Sequence, residues 1–217
     1  MIRVFYSHIT HQRKDSEFEF YLNKVPAELK NKIVRYRRWQ DAHASLFGKL
    51  LLQFGLNSSG FGSFKLTDIK YSSYYRPYFE GNIDFNISHS GAFVVCAISN
   101  ECKVGVDIEE IKPIVVEDLR QQWTNKEWEQ IVNAENQYNQ FYNYWTKKEA
   151  LLKALGEGLS VPLQQIEVSE KFGLLREERW YFKKLPIAKH YITHLASDKE
   201  IAKTITIEKI DFPENIG

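Results

Sequence analysis

The chain has 217 residues, 29 of them basic and 28 acidic for a formal charge of +1, and 43% of it is hydrophobic. That length and apolar share fit one large domain or two small ones with a real core, while the balanced charge gives no global field for nucleic acid or anionic lipid; anion binding has to be local. Two cysteines, Cys96 and Cys102, without a CxxC pair or a neighbouring histidine cluster, give no support to a disulfide framework or a zinc site.

The opening MIRVFYSHIT reads as a strand from Ile2 to Tyr6 and lacks the apolar run and cleavage site of a signal peptide. The uncharged stretch from Phe85 to Asn100 is too short and too polar to cross a bilayer, so a soluble, cytoplasmic protein is expected. Ser16 and Glu19 have capping-box spacing for a short helix. A longer helical region opens near Pro26 and runs towards Gly55 as a stop, with the crowding from Val34 to Arg38 as a break point. Gly60 and Gly62 mark a loop. Strands are predicted over Leu66 to Tyr71, Ile83 to Ile87, Ala92 to Ser99 and Lys103 to Ile108, the last two joined as a hairpin by SNEC.

Thr124 and Glu127 form a second capping box ahead of TNKEWEQIVNAE. NQFYNYWTKKEALLKALGEGLS then predicts a helix of about four turns ended by Gly156 and Gly158. Further strands are expected over Gln165 to Val168, Trp180 to Phe182, His190 to Leu195 and Thr204 to Ile210. Each half therefore places a long helix before antiparallel strands, and VVCAISN echoes ITHLASD. The expectation is an α+β protein of two similar, tightly joined halves, residues 1–102 and 103–217.

In VGVDIEE, Val104, Val106 and Ile108 alternate with Gly105, Asp107 and Glu109, so both carboxylates share one strand face. A solvated sheet face explains that pattern equally well. In WTKKEALLKALG, Trp145, Glu149 and Lys153 recur at i, i+4 and i+8; by itself this is an ordinary exposed Glu–Lys helix pair. Together the strand and helix supply three carboxylates and an ammonium, a set suited to magnesium holding a diphosphate. Ser88 and His89 precede the Gly91 turn, where an imidazole and backbone N–H groups could meet a phosphate, although a lone histidine is more often structural. His8, His11, His43, His190 and His194 have no acid or nucleophile at informative spacing. The basic residues Lys30, Lys32, Arg35, Arg37, Arg38 and Lys49 suit a solvated helix face or a small anion better than nucleic acid.

In this order, RRWQDAHASLFGKLLL, YYRPYF, FNISHSG, VGVDIEE, WTNKEWEQI and YWTKKEALLKALGEGLS resemble the 4′-phosphopantetheinyl transferases of the surfactin-synthetase-activating (Sfp) type. The resemblance spans Arg37 to Ser160 and implies a pseudo-twofold pair of α+β halves with coenzyme A in the cleft between them. It implies a magnesium triad of Asp107, Glu109 and Glu149, with Lys153 on the coenzyme A diphosphate. By the same resemblance Ser88 and His89 lie at the phosphates of the 3′-phosphoadenosine part, Lys32 and Ser45 near the 3′-phosphate, and Arg76 by the adenine. The implied reaction moves the phosphopantetheine arm to a serine of an apo carrier protein, with Glu149 as base and Glu109 as its rival, in a monomeric enzyme. A noncatalytic coenzyme A-binding protein of the same fold is the alternative. Two positions depart from the family pattern: Tyr75 stands where glycine is common before the basic residue, and Leu29 where some relatives carry a second lysine.

Overall fold

The computed structural model describes residues 1–201 and 205–213, apart from the side chain of Leu159. β1 (Ile2–His8) leads into α1 (Asp15–Leu22), α2 (Ala27–Ile33) and α3 (Trp39–Ser58), followed by a short ribbon of β2 (Lys70–Tyr71) and β3 (Pro77–Tyr78). β4 (Asp84–Ser90), β5 (Phe93–Ser99) and β6 (Val104–Glu110) precede α4 (Asn125–Val132) and α5 (Gln137–Leu155). The remaining strands are β7 (Glu167–Val168), β8 (Phe172–Leu175), β9 (Glu178–Lys184), β10 (Tyr191–Ser197) and β11 (Thr206–Lys209).

Two sheets, ordered β11-β1-β5-β4 and β6-β10-β9-β8-β7, share a buried layer in which Val4, Val95 and Ala97 meet Val106, Ile108 and Leu195. The outer face of the first sheet buries Phe5, Phe85 and Ile98 against Phe47, Leu51 and Leu52 of α3. The outer face of the second buries Trp180, Phe182 and Ala196 against Ala150, Leu151 and Ala154 of α5. The layer order is thus helix, sheet, sheet, helix, and the central strands divide their side chains between a helical and an inter-sheet core. The halves repeat a topology: β1 pairs antiparallel with β5 and β5 with β4, just as β6 pairs with β10 and β10 with β9. Ile2 stands opposite Ser99 in the first half as Val104 stands opposite Ser197 in the second, so the echoing segments VVCAISN and ITHLASD are the equivalent strands β5 and β10. The last strand, β11, returns to the first sheet and runs parallel to β1. Among the described residues no helix is long and apolar enough to cross a membrane.

Several local expectations change. The helical region does break, between α2 and α3, but α3 runs through Gly55. A Cβ there would lie 2.5 Å from Ile98 and 2.6 Å from Phe5, so this glycine serves close packing, not termination. Ser16 does not cap α1; the helix begins at Asp15 after Lys14, and acidic Asp15 and Glu17 fill its first turn. Of the strand expected over Leu66 to Tyr71 only the end forms, as β2 over Lys70–Tyr71; Leu66–Asp68 is a 3-10 turn, closed by the Asp68 carboxylate accepting from the Lys65 N–H at 2.9 Å. SNEC does not close a hairpin, because β6 pairs with β10 in the other sheet. Ser99 Oγ accepts from the Glu101 and Cys102 N–H groups and turns the chain across. The expected C-terminal strand begins at Thr206; Thr204 lies outside the described residues. The Thr124–Glu127 capping box forms as predicted, and Gly156 ends α5 at φ +83°.

Candidate active site

The two halves meet where the edge strands β4 and β6 run side by side without sharing a backbone ladder. Alternate β4 side chains bridge them. Asp84 Oδ2 accepts from the Val104 N–H at 2.7 Å, Asn86 Oδ1 from Val106 at 3.0 Å, Ser88 Oγ from Ile108 at 3.4 Å, and Ser90 Oγ from Glu110 at 3.1 Å. The polar residues in an otherwise apolar strand thereby satisfy four N–H groups that burial would leave unpaired. Ser88 has this structural duty in addition to any ligand role.

On the α5 side of this seam, Gly105, Asp107 and Glu109 face the helix. A Cβ at Gly105 would sit 2.0 Å from the Ala150 carbonyl oxygen and 2.5 Å from the Ala154 nitrogen, so only glycine lets α5 lie directly on β6. That approach brings Glu149 and Lys153, one helical turn apart, over the β6 carboxylates. Lys153 Nζ donates to Asp107 Oδ1 at 2.5 Å and to Ser88 Oγ at 2.9 Å, and Ser88 Oγ donates to the same carboxylate oxygen at 3.1 Å. Ser90 Oγ donates to Glu109 Oε2 at 2.8 Å. Asp107 is 2% exposed.

Burial pushes the Asp107 carboxyl up, against the pull of the Lys153 ammonium. Burial raises Glu109 and Glu149 too, and the Asp107 charge adds to both shifts. Three carboxylates crowded in this way are stabilised as anions by added positive charge. Asp107 Oδ2 is buried and has no hydrogen-bond partner, an open acceptor beside two further carboxylates. Hard oxygen donors of this kind fit a magnesium ion. As placed, no group of three His, Cys, Asp or Glu side chains among the described residues is drawn together tightly enough to hold an ion. Lys153 is the cation that meets Asp107 here.

The other sequence-predicted residues stand outside this cluster, on β4, α3, α2 and the β2–β3 ribbon. His89 is exposed, and the partial desolvation of its ring lowers its pKa, as does the nearby Lys153 charge. Ser45 stands half-buried on α3. Lys32, on α2, pairs with Glu28 at 3.1 Å and lies 4.7 Å over the Tyr71 ring. Arg76 is the most committed: its guanidinium meets both Asp84 oxygens at 2.8 Å and donates to the Lys153 carbonyl at 3.0 Å. It ties the β2–β3 ribbon to the end of α5 at the rim of a cavity of about 560 Å³ that Tyr74, Asp84, Lys103 and Glu157 also line. Tyr75 adopts φ +60°, so the tyrosine takes the left-handed backbone that glycine adopts freely. Asp84, Asn86 and Gly105 were not singled out from sequence, although Asp84, Asn86, Ser88 and Ser90 show the period-2 polar pattern that marks one strand face.

The segments carrying this cleft match known families. Residues 10–101 match the model "4′-phosphopantetheinyl transferase, N-terminal", and residues 103–206 match the 4′-phosphopantetheinyl transferase superfamily. The 4′-phosphopantetheinyl transferase Sfp of Bacillus subtilis (strain 168) is 30% identical over 214 residues, covering 92% of this chain and 89% of its own. The 4′-phosphopantetheinyl transferase gsp of Aneurinibacillus migulanus is 32% identical over 172 residues, covering 78% and 72%. The human L-aminoadipate-semialdehyde dehydrogenase-phosphopantetheinyl transferase is 31% identical over 144 residues, covering 54% and 47%. The chain belongs to the 4′-phosphopantetheinyl transferase superfamily, and its two-part α+β architecture is that of an Sfp-type transferase.

Proposed function

We propose that the chain moves the phosphopantetheine arm of coenzyme A to a serine of an apo acyl or peptidyl carrier protein, as a magnesium-dependent holo-carrier synthase, and releases 3′,5′-ADP. The observation that carries this reading is the cluster of Asp107, Glu109, Glu149 and Lys153 on the seam between the halves, with the buried Asp107 Oδ2 unpaired. Magnesium held by the three carboxylates would offset negative charge on the diphosphate. Lys153 contacts the same diphosphate by its ammonium. The serine oxygen attacks the β-phosphorus, and the bond to the departing 3′,5′-ADP oxygen breaks. The serine proton goes to Glu149, whose pKa burial raises towards that of a useful base; Glu109, raised for the same reason, is the second candidate.

In this reading His89 and Ser88 sit by the phosphates of the 3′-phosphoadenosine part, Lys32 and Ser45 by its 3′-phosphate, and Arg76 by the adenine. The halves 1–102 and 103–217 are its two units, working as a cytoplasmic monomer. Purified protein with magnesium, coenzyme A and a panel of apo carriers should add one phosphopantetheine mass to at least one carrier by intact-mass measurement. Magnesium-dependent coenzyme A binding without addition to any carrier would instead identify a noncatalytic member of the fold.

A further inference from the structure

Three consecutive residues of α5 stand directly before Glu149, and all three are polar and buried: Thr146, Lys147 and Lys148 are 0%, 5% and 0% exposed. Successive helical side chains point about 100° apart, so each of the three leaves the helix in its own direction. Each finds a different anchor. Lys147 Nζ donates to the Ser169 carbonyl, in the turn between β7 and β8, at 3.1 Å. Lys148 Nζ donates to Glu127 Oε2 of α4 at 2.7 Å and to the Leu163 carbonyl at 2.9 Å. Thr146 Oγ1 lies 2.7 Å from His194 Nδ1 on β10, the strand paired with β6. Of the three, only Thr146 is anchored on the strand next to the β6 carboxylates.

The Thr146–His194 hydrogen bond has a defined direction. Thr146 Oγ1 donates to the Tyr142 carbonyl at 2.7 Å, which uses its one proton, so toward the ring it accepts and His194 Nδ1 carries the hydrogen. His194 is 2% exposed and is the register partner of Asp107, and cross-strand partners leave a sheet on the same face. Thr146 is thus held level with Asp107. One helical turn on, the Ala150 carbonyl stands over Gly105, the neighbour of Asp107 on that face of β6, so α5 meets the sheet at two successive levels with Glu149 between them. The contact at Gly105 is packing, which is non-directional: it sets how close the helix lies but selects no rotation. The hydrogen bond to His194 is satisfied at one rotation and one height. Glu149 itself makes no hydrogen bond or ion pair with a described residue, so the place of its carboxylate follows from where α5 puts its backbone.

We infer that Thr146 and His194 are a positioning pair for the transfer reaction: their hydrogen bond sets the rotation and height of α5 and so places the Glu149 carboxylate over Asp107 and Glu109. The inference rests on the proposed role of Glu149 and adds to it two residues that act through the helix and carry out no chemistry themselves. A displacement of about 1 Å at reacting groups costs on the order of 100-fold in rate, so loss of the pin is read in turnover.

The test separates a directional pin from a buried pair that only needs satisfying. Removing one partner strands the other, whereas replacing both by apolar groups leaves nothing unpaired. The variants are therefore Thr146→Val alone and Thr146→Val together with His194→Leu. Each is compared with the wild type in urea midpoint, and in kcat and KM for coenzyme A with magnesium on a carrier that the wild type modifies in the intact-mass assay. Thr146→Val should lower the midpoint and the double variant should recover it, while in both kcat falls roughly 10-fold to 100-fold with KM for coenzyme A unchanged. Thr146→Ser, which keeps the hydroxyl, should retain kcat. A folded double variant with wild-type kcat overturns the inference, and it does so alone when Glu149→Gln is inactive in the same assay. A wild-type chain that modifies no carrier, or Glu149→Gln at the wild-type rate, overturns the reading of Glu149 and this inference with it. Should the double variant fail to fold, Thr146→Ala is set against Thr146→Ser, and equal kcat values in those two overturn the inference.

Discussion

Gly105→Ala tests whether the contact between α5 and β6 sets the geometry of the cluster. The added Cβ would lie 2.0 Å from the Ala150 carbonyl oxygen, 2.5 Å from the Ala154 nitrogen and 3.0 Å from the Ala154 Cβ. Two of these are backbone atoms of a helix that is packed on both sides, so no side-chain rotation relieves them. Restoring ordinary contact at about 3.4 Å requires α5 to retreat by roughly 1.4 Å. Glu149 and Lys153 ride on that helix and move with it, while Asp107 and Glu109 stay on β6. A displacement of about 1 Å at reacting groups costs on the order of 100-fold in rate, and overpacking of this kind costs about 1–3 kcal/mol of stability. Gly105→Ala should therefore remain folded by circular dichroism, unfold at lower urea, and transfer phosphopantetheine at least about 100-fold more slowly in the intact-mass assay. Wild-type transfer together with wild-type stability would show that α5 is not held to β6 as described.

Asp107→Asn should reduce transfer to background at ordinary magnesium while the chain stays folded, because it replaces a buried carboxylate with an isosteric amide; near-normal transfer would remove Asp107 from the metal set. Asn86→Leu should cost about 1–3 kcal/mol in urea unfolding, since it strands the buried Val106 N–H at the seam; an unchanged midpoint would mean the halves are joined by packing alone. His43 is buried, accepts the Arg13 N–H at 3.1 Å, and has its pKa held below the ordinary 6.5 first by burial. Its unfolded form takes up a proton more readily than its folded form, so its contribution is complete above about pH 6.5 and falls away as the pH drops below that. The urea midpoint should thus fall between about pH 7.5 and 5.5, and less steeply for His43→Gln; identical slopes would clear His43 of the effect.

Periodicity and apolar runs were sufficient to read the long elements: α3, α5, β4 and β6 are patterned, and the apolar run of β5 is buried on both faces. Thr124 and Glu127 could be read as a cap because both partners of that motif are local. Gly55 was misread as a stop because only Ile98 and Phe5, distant in sequence, explain it. The strand pair expected at SNEC failed for the same reason: the partner of β6 is β10, more than eighty residues on, and no local signal reveals it.

The same division runs through the site. Sequence spacing alone determined that Asp107 and Glu109 share a strand face and that Glu149 and Lys153 share a helix face, because those periods are fixed by backbone geometry. The period-2 row of Asp84, Asn86, Ser88 and Ser90 is present in the sequence too, but nothing local shows what the row meets. Only tertiary structure decided that this row satisfies the β6 N–H groups, that Gly105 admits α5 close enough to join Lys153 to Asp107, and that Arg76 is clamped by Asp84. These pairings depend on how the two halves dock, a relation between surfaces far apart in the chain that no local repeat encodes.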